Sequence, residues 1–594
     1  MKLSDYVFEF IRSLGVEHVF YLPGGGAMHL DDSLGHAEGL VPVCMLHEQG
    51  CAIASEAYAR ISENFAVCVV TSGPGATNTL TGLAGAWLDA TPVIFLSGQV
   101  KRADRVNGQG IRQFGIQEIN IVDIVKPITK YAVQLENPED IKYELGKAVA
   151  LARSGKPGPV WLDIPLDIQA SQIDPETLRE YDEALPAFKC ADADIAKTIE
   201  LLNQAKRPLV LLGHGIRMAK AIPEMLELID HLQVPVMTTW NGVDLVEEDH
   251  PLFYGRPGAV GHRHSNFIQQ NADFVLTIGT RLNLLSTGYD FDSFLRNAKH
   301  VMVEIDENEM SKCSVRPDLA VHADAKSFLA KLLARKSDLL VEKRAEWLGY
   351  CESMKAKYPL FIADQVPEGA AVNTYDLMDR LTDRMTSEDV YQFTSSGTAA
   401  DIAMYTFRIK KGQRAFLTKG LASMGCDLPA SIGSCLASGG RRTVCVTGDG
   451  GFLMNVQELE TLRRLNLPVK IFVIDNDGYG MIHNSQAGNF KRLTGCNAES
   501  GLSLPRLARV AEAFGIPSEA IFSADELDAK IDKVLSSEGP CICTVKGSIA
   551  QKITPRQTNY MKPDGQMASR PLEDMSPLLD REEFEANMIG ESAR

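Results

Sequence analysis

Thr443-Val444-Cys445-Val446-Thr447-Gly448-Asp449-Gly450-Gly451-Phe452 runs β-branched and apolar residues straight into an aspartate flanked by glycines. A second apolar run, Lys470–Asp475, ends at Asn476, 27 residues after Asp449, and continues as Asp477-Gly478-Tyr479-Gly480-Met481. Between the two runs, Asn455–Leu465 has the pattern of a helix. Strand, helix and strand place Asp449 and Asn476 at the carboxyl ends of two strands flanking one crossover, the edge where open α/β sheets bind ligands. A carboxylate, an amide oxygen and a nearby backbone carbonyl are hard oxygen donors that suit Mg²⁺, which takes its other ligands from phosphate and water. Gly448, Gly450 and Gly451 let backbone N–H groups approach a phosphate, and the helix start favours its charge. Gly-Asp-Gly alone is an ordinary tight turn; the 27-residue spacing, with a strand on each side, sets this one apart.

Outward from this segment, short apolar strands alternate with helices, the signature of doubly wound α/β domains. A first series holds Val41–Leu46, Phe65–Val70 and Val93–Ser97, and a second holds Pro208–Leu212, Val234–Thr238, Phe274–Ile278 and His300–Ile305. A third holds Thr443–Thr447, Lys470–Asp475 and Cys541–Val545. The expected fold class is α/β with three doubly wound domains, at residues 1–170, 188–335 and 373–555. Residues 171–187, acidic and proline-containing, and 336–372, broken at Pro359 and Pro367, read as linkers. The tail 556–594 is loop-like until a helix near Arg581–Met588 and reads as a lid over a site.

With 60 basic and 77 acidic side chains the chain carries a net charge of −17, which argues against nucleic acid or an anionic membrane as partner. The first residues predict an amphipathic helix capped by Ser4, not a signal peptide, and nothing has the roughly 20 apolar residues of a membrane span. Twelve cysteines lack zinc spacing or a disulfide framework, with only Cys541 and Cys543 close together, so a reducing, cytoplasmic compartment is expected.

The Gly448-Asp449-Gly450 and Asn476 pair resembles the metal motif of thiamine-diphosphate enzymes. The resemblance implies Mg²⁺ held by the side chains of Asp449 and Asn476 and the carbonyl of Gly478, with Tyr479, Gly480 and Met481 lining the cofactor. It also implies one carboxylate beside the aminopyrimidine. By itself a glutamate at a helix start is only a partner for the helix dipole. Glu48, however, closes the strand-like Val43-Cys44-Met45-Leu46-His47-Glu48-Gln49 and precedes the small-residue helix Gly50–Arg60, which resembles the family's pyrimidine domain. Pro23-Gly24-Gly25-Gly26 matches that domain's glycine loop, and Thr71-Ser72-Gly73-Pro74-Gly75-Ala76-Thr77-Asn78 the loop lining the pyrimidine. Pro23, Gly25, Thr71 and Asn78 are thus implied contacts. Met424, in Gly420-Leu421-Ala422-Ser423-Met424-Gly425, falls where the family supports the bent cofactor, and Ser396 and Gly397 where its diphosphate loop lies. On this pattern residues 1–170 are the pyrimidine domain, 188–335 the central domain and 373–555 the diphosphate domain. The family shares each cofactor between two chains, so a homodimer or homotetramer is implied.

Asn455–Val469 and Gly155–Pro165 are most similar to the acetolactate synthase branch, and Gln117-Glu118 continues the match, with Gln117 facing the reacting carbon. That branch binds FAD without redox use in its central domain. Gly213, Gly215, Gly258, Gly279, Arg281, Asp306 and Asp324 follow the order of its contacts, although each glycine alone is an ordinary α/β turn. The departures concern the acceptor pocket. Ser485 stands where the branch has Trp, Leu166 where it has Lys, Ile116 where it has Phe, and Gly397-Thr398-Ala399-Ala400 where it has Gly-Gln-His-Gln. Gly501–Pro505 and Pro571–Met575 resemble synthase-like proteins of bacterial surface-polysaccharide pathways. The implied reaction is decarboxylation of a 2-keto acid, pyruvate foremost, and transfer of the two-carbon unit to a keto acid or a nucleotide-linked keto-sugar. A simple decarboxylase is the alternative, with His47 and His483 as candidate proton donors. A cofactor-binding protein without catalysis is disfavoured by the presence of Glu48 and both metal ligands.

Overall fold

The computed structural model describes residues 1–340, 344–360 and 371–589; Pro367 lies outside them. Three parallel sheets order the chain. The first contains β1 (His18–Tyr21), β2 (Val41–Cys44), β3 (Ala66–Val70), β4 (Val93–Gln99), β5 (Tyr131–Gln134) and β6 (Val160–Pro165), in the order β2-β1-β3-β4-β6-β5. Every residue of β3, β4 and β6 is buried, which is why they read as unbroken apolar runs rather than alternating ones. The second sheet contains β7 (Pro208–Leu212), β8 (Val236–Thr238), β9 (Phe274–Ile278), β10 (Lys299–Glu304) and β11 (Leu319–His322), in the order β11-β10-β9-β7-β8. Expected at Val234, β8 begins two residues later; Pro235 has no N–H to give a ladder, although its carbonyl accepts from Val210.

The third sheet contains β12 (Val390–Phe393), β13 (Arg414–Phe416), β14 (Thr443–Gly448), β15 (Val469–Asp475), β16 (Ser518–Ile521) and β17 (Cys541–Lys546), in the order β13-β12-β14-β15-β17-β16. In each sheet the strand order reverses beside the first strand: between β1 and β3, β7 and β9, and β12 and β14. Such switch points open a crevice at the carboxyl edge.

Three local expectations are corrected. Ser4 is not a cap: the helix Leu3–Ser13 starts after Lys2, which bridges to Gln172, and buried Ser4 receives the hydroxyl of Ser33 at 2.8 Å. The strand before Glu48 stops at Cys44, and Glu48 is the first residue of the helix Glu48–Ser62. The helix expected from Asn455 begins at Glu458, after a turn.

The chain divides into two compact units. One, made of Met1–Pro186, Glu388–Ala400 and Arg414–Ile549, holds the first and third sheets. Within it the helix Glu48–Ser62 is clamped between two others through small residues. A Cβ at Gly82 (helix Leu80–Leu88) would stand 2.5 Å from the Ala52 Cβ, and one at Gly433 (helix Asp427–Ala437) 2.1 Å from the Ala54 carbonyl oxygen. The other unit, Ala187–Ser387, Asp401–Gln413 and Ala550–Arg594, holds the second sheet and the tail. There the buried helix Arg263–Asn271 grips the tail. Arg263 donates to the carbonyls of Met575 and Pro577, Asn266 to that of Leu572, and Gln270 to the Glu573 carboxylate. The cysteines are all unpaired, and no described helix is long and apolar enough to cross a membrane.

Candidate active site

The switch point of the third sheet carries the metal motif. Asp449 follows β14 and is 2% exposed. One carboxylate oxygen accepts the Gly450 N–H at 2.7 Å, and the other the N–H groups of Asn476 at 3.1 Å and Gly478 at 3.2 Å. Burial pushes the carboxyl up to about 6 against those three donors.

The amide of Asn476 turns one terminal atom toward both Asp449 oxygens, 3.3 Å from each, and toward the Gly478 carbonyl oxygen at 2.7 Å. With nitrogen inward the amide donates to these oxygens. With oxygen inward four oxygens converge, and only a cation reconciles them. Asp449, Asn476 and the Gly478 carbonyl converge on one point, and with its amide oxygen inward Asn476 would complete an all-oxygen set of the kind that fits Mg²⁺. No cluster of three or more His, Cys, Asp or Glu able to hold a metal occurs among the described residues.

The glycines divide by what they face. A Cβ at Gly25, Gly397 (φ +91°) or Gly448 would meet nothing within 4 Å, so the space beside these three is open. Gly397 and Gly448 flank the switch point between β12 and β14, and Ser396-Gly397 leads into the helix Thr398–Thr406. Gly450 and Gly478 are packing glycines: a Cβ would stand 2.2 Å from the Tyr479 ring at the first and 2.1 Å from the Cys496 carbonyl oxygen at the second. Gly451 backs onto the Asp427 carboxylate, and Gly480 lies by the Asn476 amide. Met424 is half-buried on a loop held at both ends. Asp89 accepts the N–H groups of Lys419 (3.1 Å) and Gly420 (3.4 Å), and Asn455 donates to the Gly425 carbonyl at 2.6 Å.

The first sheet assembles the other half. Gly26 donates to the Thr71 hydroxyl at 3.0 Å, which joins the Pro23 loop after β1 to the loop after β3 across the switch point. Nearby, Asn78 donates to Glu48 Oε2 at 3.0 Å; no described residue donates to Oε1. Gln117 has φ 64°, and its carbonyl oxygen would lie 2.6 Å from a Cβ at Gly73, so Gln117 packs on the turn that leads to Asn78. Glu118 fixes this loop by accepting from the backbone of Val106, Phe114 and Gly115. Its burial works against ionisation, but the three donors together hold the carboxyl below its ordinary range. Ile116 beside it is 89% exposed.

His47 is committed elsewhere: its Nδ1 accepts the Gln49 N–H and caps the helix Glu48–Ser62. His483 lies half-buried on the helix Gly480–Phe490, near the Asn484 amide, with Met481 and Ser485 exposed. That Asn78 orients Glu48 had no signal in the sequence.

The glycines expected to hold FAD face neighbouring backbone and not open space. Gly213, Gly215 and Gly279 close on one another's backbones, with a Cβ at Gly213 2.2 Å from the Gly279 carbonyl oxygen, and Gly258 is shut by the Leu285 carbonyl. Asp306 and Asp324 cap the helices Glu307–Met310 and Ala325–Ala334, and the carbonyl of Arg281 receives the Lys312 ammonium.

Residues 1–124 match the N-terminal TPP binding domain of thiamine pyrophosphate enzymes, 195–332 their central domain and 395–545 their C-terminal TPP binding domain. A probable acetolactate synthase large subunit of Methanocaldococcus jannaschii is 33% identical over 92% of both chains. The chain belongs to the thiamine pyrophosphate enzymes. Within them it lies in the acetolactate synthase-like branch: the acetolactate synthase isozyme 2 large subunit of Escherichia coli is 31% identical over 97% of this chain and 100% of its own length. The chloroplastic acetolactate synthase 2 of Nicotiana tabacum is 31% identical over 92% and 82%. The second sheet lies wholly within the matched central domain, the matched N-terminal domain takes in β1 to β4 and the matched C-terminal domain β13 to β17, and Glu48 and Asp449 belong to the two TPP binding domains.

Proposed function

We propose that this thiamine pyrophosphate enzyme decarboxylates pyruvate and joins the two-carbon unit to a carbonyl acceptor. The observation that carries the reading is the Asn78–Glu48 pair: one carboxylate oxygen is fixed and the other has no donor among the described residues, at the edge where the family's pyrimidine binds. Thiamine diphosphate, when bound, supplies the nucleophilic carbon and the electron sink. The chain's residues do the rest. Asp449, Asn476 and the Gly478 carbonyl would hold Mg²⁺ against the diphosphate, whose oxygens would meet the open backbone at Gly397 and Gly448. Glu48 Oε1 would hold a proton at the ring nitrogen, Met424 would support the ring, and Gln117 would orient the substrate carbonyl.

Residues 1–170 serve as the pyrimidine domain and 373–555 as the diphosphate domain, and the two-chain site typical of the family makes a homodimer the smallest active form. The unpaired cysteines support a reducing compartment, the cytoplasm. The glycines and aspartates expected to hold FAD take part in packing and helix capping, and the reaction proposed here makes no redox use of FAD.

The acceptor divides the reading. Relatives named acetolactate synthases favour a second pyruvate. Ser485, small and exposed, and Leu166, which brings no charge, favour a larger keto-sugar. Incubating the purified enzyme with pyruvate, alone and with nucleotide-linked keto-sugars, and analysing the products tests this. Acetolactate or a branched sugar supports carboligation; acetaldehyde alone would make the enzyme a simple decarboxylase.

A further inference from the structure

Glu458 begins the helix Glu458–Arg464 of the third sheet's domain and has no exposed surface. Its Oε1 accepts the N–H of Leu46 at 3.2 Å, and Oε2 accepts the Thr461 hydroxyl at 2.8 Å. Leu46 lies two residues before Glu48, so this carboxylate stands at the positive end of the helix that carries Glu48. A Cβ at Gly50 would stand 2.7 Å from Glu458 Oε1, so the first turn of that helix leaves room for the carboxylate only because residue 50 is glycine. Two turns along its own helix, Arg464 donates to the Cys44 carbonyl. The segment Cys44–Leu46 that delivers Glu48 is thereby gripped at two points by the diphosphate domain.

We propose that Glu458 is a positioning residue for Glu48, setting the helix start so that the Glu48 carboxylate meets the cofactor ring in register. The inference rests on the reading of Glu48 above. A carboxylate must be held close to its productive geometry, and a misplacement of about 1 Å can lower a rate about 10²-fold. Glu458 touches neither the metal ligands nor the diphosphate loop, so its loss should slow turnover without weakening cofactor binding.

The test compares four full-length holoenzymes: wild type, Glu48→Gln, Glu458→Ala and Gly50→Ala. Gly50→Ala favours the helix itself by up to about 1 kcal/mol while setting a methyl against the Glu458 carboxylate, so it probes the contact from the other side. Expected are kcat losses of at least about tenfold in Glu458→Ala and Gly50→Ala, with thiamine diphosphate saturating as in wild type. Faster amide hydrogen exchange at residues 46–50 should accompany them. Glu458→Gln, which keeps an acceptor for Leu46, should recover most of the rate. If Glu458→Ala does not fold, Gly50→Ala decides. Native kcat in these variants beside an inactive Glu48→Gln overturns the inference alone, as does cofactor affinity falling in step with kcat. An active Glu48→Gln overturns the reading beneath it, and this inference with it.

Discussion

Asn78 holds one carboxylate oxygen of Glu48 at 3.0 Å and leaves the other without a donor from any described residue. A side chain fixed in this way has one orientation and one available oxygen, which suits a group that must hold a single proton. Glu48→Gln keeps the shape and the Asn78 contact through its carbonyl but loses the basic oxygen. Turnover should fall at least 10²–10⁴-fold, while isothermal titration shows thiamine diphosphate still bound. Near-native activity would remove Glu48 from the mechanism.

Asp449 is the single carboxylate of the proposed metal site, and it is buried. Asp449→Ala should raise the Mg²⁺ and thiamine diphosphate concentrations needed for half activity by tenfold or more. If both saturation curves overlay those of wild type, Asp449 is not a ligand.

Ser485 and Leu166 bear on the acceptor. Wild type should form acetolactate only slowly from pyruvate alone, because a small acceptor is poorly oriented in a wide pocket. Ser485→Trp should depress reaction with a polyhydroxylated ketone while sparing or raising pyruvate self-condensation, as read from steady-state kinetics with both acceptors. Fast acetolactate formation by wild type, at the roughly 1–10³ s⁻¹ usual for enzymes, with no keto-sugar consumed, would contradict this reading of the pocket.

Glu56 lies buried in the middle of the helix Glu48–Ser62. Burial, and then the negative charge of Asp89, push its carboxyl up to about 8 from 4.5, although Arg60 and the Thr418 hydroxyl pull it back. The folded chain therefore keeps a proton that the unfolded chain has released near pH 4.5. Stability from this group is full below that pH and is lost as pH rises toward about 8. Glu56→Gln should flatten the fall of Tm across pH 5–8 and raise Tm at pH 8 by a few degrees, in differential scanning fluorimetry. An unchanged slope would show that Glu56 is ionised in the folded protein.

The central strands were legible because burial on both faces writes an uninterrupted apolar run: β7 and β9 begin and end where Pro208–Leu212 and Phe274–Ile278 predict. The edge strand Ser518–Ile521 is buried at a single residue and carries no such signal. Asp449 and Asn476 could be found because one crossover fixes their spacing. The Leu46–Glu458 bond joins residues 412 apart, and no periodicity encodes it. Glycines were read correctly as tight places but not for what fills them. Gly448 ends a strand and Gly213 follows one, yet the first faces open space and the second the backbone of Gly279.

The helix Gly480–Phe490 has Gly480 as its one buried residue, whereas almost every position of Glu48–Ser62 is closed in. Descendants of this chain can therefore exchange Ser485 and its neighbours with little penalty to folding, while the apparatus that activates the donor tolerates almost no change. Diversification of products in such a lineage should run ahead of any change in the chemistry that feeds them.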